Sequence, residues 1–320
     1  MTILRLRTAL LATAAAIFLA SCGGSDFSSA PVPAKYSTVY TFGASLTDTG
    51  NACPPPTPPS GCPPVPPYAA GLFSNGQVFS QIIAANYGAQ VLPSGRGGTA
   101  YSVGGARTGA IPGIPANQQS STPSMVVQVD SYLTAVGARA NAQFLYLIDA
   151  TTFGNNITAG LPLLQAGTIT STQLVTAAIG DVVGVVNRLY AAGARNFLVV
   201  NAPNVGATPL AQSQGTAAAT AATQLSAGFN QNLAAQLNNL KANAPGMNIF
   251  LLDSFGLETQ IKANPSSFGF SNVTAPCVTP TSLCGTTLAT QNTFFYWDGF
   301  HPTNGVGQLV AQRAISLLNQ

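Results

Sequence analysis

Two stretches of this chain, Phe144-Leu-Tyr-Leu-Ile148 and Phe197-Leu-Val-Val200, are apolar at every position. A strand with one wet face alternates between apolar and polar residues. Unbroken apolar runs of this length therefore read as strands covered on both sides, the situation of a parallel sheet between two layers of helices. These two runs lie within Gln143–Ile148 and Asn196–Val200, and similar runs occur at Ser37–Phe42 and Met247–Leu252, with a weaker one at Ala89–Leu92. Stretches with helical spacing or composition lie among them, at Gln77–Tyr87, Ser124–Val136, Thr172–Ala192, Ala217–Ala242 and Val306–Leu318. The alternation predicts one α/β domain. In an open parallel sheet, functional residues gather in loops beyond the carboxyl ends of the strands. Here those loops are Gly43–Asn51, Asp149–Asn156 and Asn201–Gly206.

The surface of such a domain must be unusually uncharged, because Asp, Glu, Lys and Arg make up only 6% of the 320 residues while 46% are hydrophobic. Soluble domains average roughly 25% charged residues. This look is common among exported bacterial proteins. The formal charge of +3 includes Arg5 and Arg7, so the rest of the chain is almost neutral. No basic stripe remains to neutralise a row of phosphates, which excludes nucleic acid as an expected partner.

Arg5 and Arg7 stand before an apolar run from Thr8 to Ala20, which ends in Leu19-Ala20-Ser21-Cys22. A basic start, a run too short to span a bilayer and small residues at its end read as an export signal. Leu-Ala-Ser-Cys resembles the bacterial lipobox, in which the leader is cut before the cysteine and the thiol is lipidated. An ordinary secretory signal cut near the same point is the alternative. On the lipobox reading, residues 1–21 are the leader, 22–35 a flexible tether rich in Gly, Ser and Pro, and 36–320 the folded domain. The expected location is then exported and lipid-anchored to a bacterial membrane.

Apart from Cys22, the cysteines form two close pairs, Cys53 with Cys62 and Cys277 with Cys284. Neither pair has histidine or further cysteine nearby, so in an exported chain disulfides are expected rather than a metal site. Four cysteines allow three connectivities. Short loops flanked by prolines make sequential pairing the simplest.

The only histidine is His301, three residues after Asp298. Any serine activated by an imidazole in this chain must use it. At the entrance to a terminal helix, this spacing can bring the Asp298 carboxylate to Nδ1, which would fix the tautomer and stabilise the imidazolium formed when Nε2 takes a proton. Alone, Asp-x-x-His is a weak pattern, equally that of a surface histidine beside a capping aspartate. Paired carboxylates for glycoside cleavage are poorly supported, with Glu258 the sole glutamate, and Gly95-Arg-Gly-Gly98 lacks the Lys-Ser or Lys-Thr of a phosphate loop.

Phe42-Gly-Ala-Ser-Leu-Thr-Asp-Thr-Gly-Asn51 follows the first strand, and Trp297-Asp-Gly-Phe-His-Pro-Thr303 precedes the last helix. Between them stand Phe73-Ser-Asn-Gly76, Tyr101-Ser-Val-Gly-Gly-Ala-Arg107, Phe153-Gly-Asn-Asn-Ile157 and Pro203-Asn-Val-Gly-Ala-Thr-Pro209. This ordered set, covering about residues 36 to 320, resembles the GDSL, or SGNH, hydrolases. The resemblance implies an α/β, flavodoxin-like three-layer sandwich with a central, mainly parallel sheet of about five strands, and no cofactor or metal. It gives Ser45 the role of nucleophile, completed by Asp298 and His301. Gly105 and Asn155 become oxyanion donors beside the Ser45 backbone N–H. Such donors matter because removing one typically costs on the order of 10²–10³ in turnover. Trp297, the only tryptophan, is expected to anchor the Asp298–His301 loop.

The chain departs from the family pattern twice. Ala44 stands where the family has aspartate before the serine, which removes a hydrogen-bonding carboxylate from the nucleophile loop. Donors left unpaired in a buried loop would each cost about 1–3 kcal/mol, so a substitute acceptor is expected, either Asp48 or Asp149. In Phe153-Gly-Asn-Asn-Ile157, alignment on Ile157 makes Asn155 the donor, with Asn156 as the alternative.

The function expected is hydrolysis of neutral carboxylic esters by a monomer, through an acyl-enzyme on Ser45. Two rivals stay open. One is an O-acetyl esterase or acyltransferase using the same site, and the other is a surface lipoprotein that keeps the fold only to bind.

Overall fold

A computed structural model describes residues 35–320 apart from 57, 58 and 61. Cys22, the leader and most of the expected tether lie outside the described residues. Four strands, β1 (Val39–Phe42), β2 (Leu145–Asp149), β3 (Asn196–Val200) and β4 (Asn248–Leu252), form one parallel sheet in the order β1-β2-β3-β4. Every residue of β2 is buried, as its unbroken apolar run predicts.

The two faces of the sheet feed separate cores. Phe42, Tyr146, Ile148, Phe197 and Val199 point to one side, where they pack with α2 (Met125–Ala135), α3 (Phe153–Gln165), α4 (Ser171–Ala191) and α6 (Thr216–Ala242). Val39, Leu145, Leu147, Leu198, Val200 and Leu252 point to the other, against α1 (Phe79–Asn86) and α9 (Asn304–Leu318). Period-two alternation on a sheet wet on neither face thus generates three layers. A third cluster joins α7 (Ser254–Ala263) to α9 and to the pair of β5 (Asn272–Pro276) and β8 (Phe294–Tyr296). A hairpin of β6 (Val278–Thr279) and β7 (Ser282–Leu283), together with short helices α5 (Pro209–Ser213) and α8 (Leu288–Gln291), completes the chain.

The fifth strand expected at Ala89–Leu92 does not form. The place beside β1 is taken by Thr99–Tyr101, where the Thr41 N–H donates to the Thr99 carbonyl at 3.1 Å and the Tyr101 N–H to the Thr41 carbonyl at 2.8 Å. Residues 89–92 form the outer leg of this turn, with the Ala100 N–H donating to the Leu92 carbonyl at 2.9 Å. Both cysteine pairs close sequentially, Cys53 with Cys62 and Cys277 with Cys284.

Candidate active site

Beyond the end of β1 the chain turns sharply, and the Ala44 carbonyl accepts from the N–H groups of Thr47 at 3.1 Å and Asp48 at 2.9 Å. Ser45 sits in this turn and is buried. The buried Gln128 of α2 grips the preceding Gly43 from both ends, accepting from its N–H and donating to its carbonyl, each at 2.8 Å. Gly43 must be glycine, because a Cβ there would lie 2.4 Å from Cβ of Asp149.

His301 arrives from the opposite end of the sequence, on the segment between β8 and α9. Its Nε2 lies 2.9 Å from Ser45 Oγ, and its Nδ1 lies 2.8 Å from Asp298 Oδ2. The other carboxylate oxygen, Oδ1, accepts from the N–H groups of Phe300 at 2.8 Å and His301 at 2.7 Å. Burial would raise the Asp298 carboxyl, but the His301 imidazole and these backbone donors outweigh it and hold the group below its ordinary range. Asp298 is therefore ionised at neutral pH and oriented on both oxygens. Trp297 is fully buried beneath this loop. The rings of Phe73 and Phe300 flank the imidazole, with centroids at 5.3 and 5.6 Å.

One contact was not legible in the sequence. The Tyr68 hydroxyl donates to Asp298 Oδ2 at 2.8 Å, and its ring stands edge-on to Trp297. Burial and then the Asp298 carboxylate push the Tyr68 phenol well above its ordinary value, so it stays a donor. Tyr68 lies just after the proline-rich insert that the Cys53–Cys62 disulfide closes. With donor and acceptor 230 positions apart in the chain, no local pattern announces the pair. If Asp298, His301 and Ser45 work as a triad, Tyr68 is a positioning residue for Asp298. Tyr68→Phe should lower kcat roughly tenfold, the scale of one hydrogen bond to a charged group, with KM little changed. A carboxylate relieved of one donor attracts an imidazolium more strongly, so the acid limb of kcat/KM should move to higher pH. A merely structural Tyr68 would lower stability and leave that limb in place.

Gly105, exposed and with φ +79°, lies on the loop after Thr99–Tyr101. This loop is tied to the serine turn by several hydrogen bonds. Val103 N–H donates to the Gly43 carbonyl at 3.2 Å, Gly104 N–H to Asp48 Oδ2 at 2.7 Å, and Thr47 Oγ1 to Ser102 Oγ at 2.8 Å. The two candidate asparagines, which the sequence pattern places in a loop, occupy the first turn of α3. Asn156 is buried, with both ends of its amide engaged by Thr108: its Oδ1 accepts from the N–H at 3.0 Å and its Nδ2 donates to Oγ1 at 2.8 Å. Asn155 lines the cavity beside Ser45, and its Nδ2 donates one hydrogen to the Ala106 carbonyl at 2.7 Å. An amide nitrogen carries two hydrogens, so the second is available to a ligand in that cavity.

Both expected substitutes for the carboxylate missing at Ala44 organise this loop. Asp48 Oδ1 accepts from the N–H groups of Gly50 and Asn51, at 2.8 and 2.7 Å, and its Oδ2 from Ala52 and Gly104, at 3.0 and 2.7 Å. Asp149, fully buried at the end of β2, accepts from Thr47 Oγ1 at 2.9 Å and from the N–H and Oγ1 of Thr151. Its carboxyl is raised to about 6 by burial, against the pull of these donors.

Comparison with known proteins gives the family. The model of the GDSL-like lipase/acylhydrolase family matches residues 39–314. One GDSL esterase/lipase of Arabidopsis thaliana is 30% identical over 314 residues, which cover 87% of this chain and 88% of the relative. A second from the same plant is 29% identical over 317 residues, with the same shares covered. These relatives are plant proteins and lend no support to the bacterial source expected from the leader. Since the match runs from β1 to α9 and takes in the serine turn as well as the histidine loop, the chain belongs to the GDSL-like lipase/acylhydrolase family.

Proposed function

We propose that this member of an ester-hydrolysing family cleaves neutral carboxylic esters through an acyl-enzyme on Ser45. The support is the unbroken line of hydrogen bonds from Asp298 through His301 to Ser45. Ser45 Oγ attacks the ester carbonyl while its proton passes to His301 Nε2, and Asp298 stabilises the imidazolium. The Ser45 and Gly105 N–H groups and the free N–H of Asn155 take up the oxyanion charge. Collapse of the intermediate breaks the bond to the alcohol, which leaves with the proton from Nε2. Water then repeats the sequence on the acyl group, with His301 as base, and the free acid departs. An ester with a sugar hydroxyl supplied as a competing acceptor tests the hydrolytic reading. Free acid should dominate the products; an acylated sugar as the main product would make the protein an acyltransferase.

The same proposal takes residues 1–21 as an export leader, 22–35 as a tether and 36–320 as the hydrolytic domain, with Cys22 lipidated. It rests on Arg5, Arg7 and Leu19-Ala20-Ser21-Cys22 alone. One acyl chain binds a bilayer only marginally, whereas several hold a protein firmly. Cys22→Ser should therefore move the protein from the membrane fraction to the soluble one while kcat/KM stays within about twofold, since the tether separates Cys22 from the site. A wild-type N-terminus without lipid, read by mass spectrometry, would refute the anchor.

A further inference from the structure

Gly105 and Asn155, the two donors proposed beside the Ser45 N–H, come from different segments, one from a loop and one from the head of α3. Hydrogen bonds next to each donor hold the two segments in register. The Ala106 carbonyl accepts from Asn155 Nδ2 at 2.7 Å, and two residues on, Thr108 grips Asn156 through both its N–H and its hydroxyl. Thr108 and Asn156 are buried. Because the Thr108 hydroxyl accepts from Asn156 Nδ2, its own proton needs a separate acceptor. Asp181, midway along α4, supplies it: the hydroxyl donates to Asp181 Oδ2 at 2.8 Å. The carboxylate also lies against the next residue of the loop, where a Cβ on Gly109 would fall 2.4 Å from Oδ2. Were the hydroxyl proton turned toward Asn156 instead, the amide would have to flip and set its NH2 group against the Thr108 N–H. Asp181 thus fixes the direction of each bond in the clamp. Burial pushes its carboxyl up to about 6, against the pull of the Thr108 hydroxyl, so at pH 8 it is ionised and can only accept.

We propose that Asp181 is a positioning residue for Asn155, acting through Thr108 and Asn156, which rests on the reading of Ser45 as nucleophile and Asn155 as oxyanion donor. A donor contributes only when it is aimed at the place the oxyanion will occupy. A misplacement of about 1 Å can cost on the order of 10²-fold in rate. Without the carboxylate, the Thr108 hydroxyl loses the acceptor for its proton, the Asn156 amide loses its fixed orientation, and the adjacent Asn155 can turn away from Ser45. The loop itself stays held, since the carbonyls of Arg107 and Thr108 accept from the N–H groups of Met125 and Val126 at the head of α2, at 2.9 and 3.2 Å. The loss is therefore expected in turnover more than in folding.

The test, at pH 8, measures kcat and KM for p-nitrophenyl butanoate beside the Ki of a trifluoromethyl ketone, which adds to an activated serine to give a tetrahedral oxyanion. Asp181→Ala should lower kcat and weaken the ketone by about tenfold or more each, with KM within about threefold of wild type. Asp181→Asn keeps an acceptor oxygen for the Thr108 hydroxyl and should stay within about threefold of wild type in both. In an Asn155→Ala background, Asp181→Ala should cost less than about threefold further, because the group it positions is gone. Wild-type kcat and Ki in Asp181→Ala, with only Tm lowered, would overturn the proposal and leave Asp181 a purely structural residue. An undiminished loss in the Asn155→Ala background would also overturn it. Should Asp181→Ala fail to fold, Thr108→Val, which removes the hydroxyl, decides the matter: about a tenfold loss of kcat is expected, and wild-type kcat overturns the proposal. If Ser45→Ala cleaves the ester at wild-type rates, or the ketone does not inhibit wild type, the nucleophile assignment has failed. If the ketone inhibits wild type and Asp181→Ala changes neither kcat nor Ki, only the positioning role has failed.

Discussion

Ser45→Ala and His301→Ala are each expected to reduce hydrolysis of p-nitrophenyl butanoate by about 10⁴-fold or more, leaving residual activity from binding and oxyanion donors alone. The size of the effect comes from the chemistry. A serine hydroxyl is a weak nucleophile until a base removes its proton, and His301 is the only histidine in the chain. Its Nε2 lies 2.9 Å from Ser45 Oγ, within reach for that transfer. The double variant should be little worse than either single one, because the two groups act as a unit. Asp298→Asn should retain slightly more activity than His301→Ala, since an amide can still orient the ring. Wild-type rates from Ser45→Ala would end the mechanism.

Asp149→Ala should lower stability by about 3 kcal/mol and turnover by at least tenfold. The carboxylate holds Thr47 and Thr151, and each buried donor left unpaired costs about 1–3 kcal/mol. Thr47 lies two residues from Ser45, so the loss should reach kcat as well as Tm. Ala44→Asp, by contrast, should raise activity less than tenfold, because Asp48 and Asp149 already accept from donors of this loop. A hundredfold gain would mean that the site is impaired and would favour a binding role. The raised Asp149 carboxyl also sets a pH dependence. The folded protein binds this proton more tightly than the unfolded chain between about pH 4 and 6, so this group's contribution to stability rises as pH falls through that window, by on the order of 3 kcal/mol. Asp149→Asn should remove that part of the slope, which urea unfolding at pH 7.5 and pH 5 would measure.

The parts of the fold legible in the sequence were those fixed by local pattern. The β3 run Asn196–Val200 coincides with the observed strand, and the long helices α4 and α6 lie within a residue of the expected Thr172–Ala192 and Ala217–Ala242. The strand that failed, Ala89–Leu92, runs directly into Pro93, which has no N–H for a ladder. Its place went to Thr99–Tyr101, whose neighbours Gly97 and Gly98 hide it from any apolar pattern. A Cβ at Gly98 would strike the Leu92 carbonyl at 2.2 Å, so only glycine lets the two legs of this turn pass. Helix α3 was missed because Phe-Gly-Asn-Asn reads as loop and Pro162 breaks the helical pattern of residues 157–165. In the structure the Asp149 side chain caps the turn leading into that helix by accepting the Thr151 N–H. The line from Asp298 to His301 was legible from spacing, and its meeting with Ser45 from the family resemblance. Tyr68 on Asp298 and Thr108 on Asp181 are products of tertiary packing, which no local pattern encodes.

Reaction of the purified protein with a fluorophosphonate probe, followed by peptide mass spectrometry, tests whether Ser45 is an activated nucleophile. Such a probe bonds covalently to a serine whose proton a neighbouring base removes and whose oxyanion is stabilised, so it reports the assembled site rather than any one residue. One adduct is expected, on Ser45, that is absent from Ser45→Ala and forms at least a hundredfold more slowly in His301→Ala. Labelling of Ser45→Ala at the wild-type rate, or no labelling of wild type under conditions where it hydrolyses esters, would contradict that role.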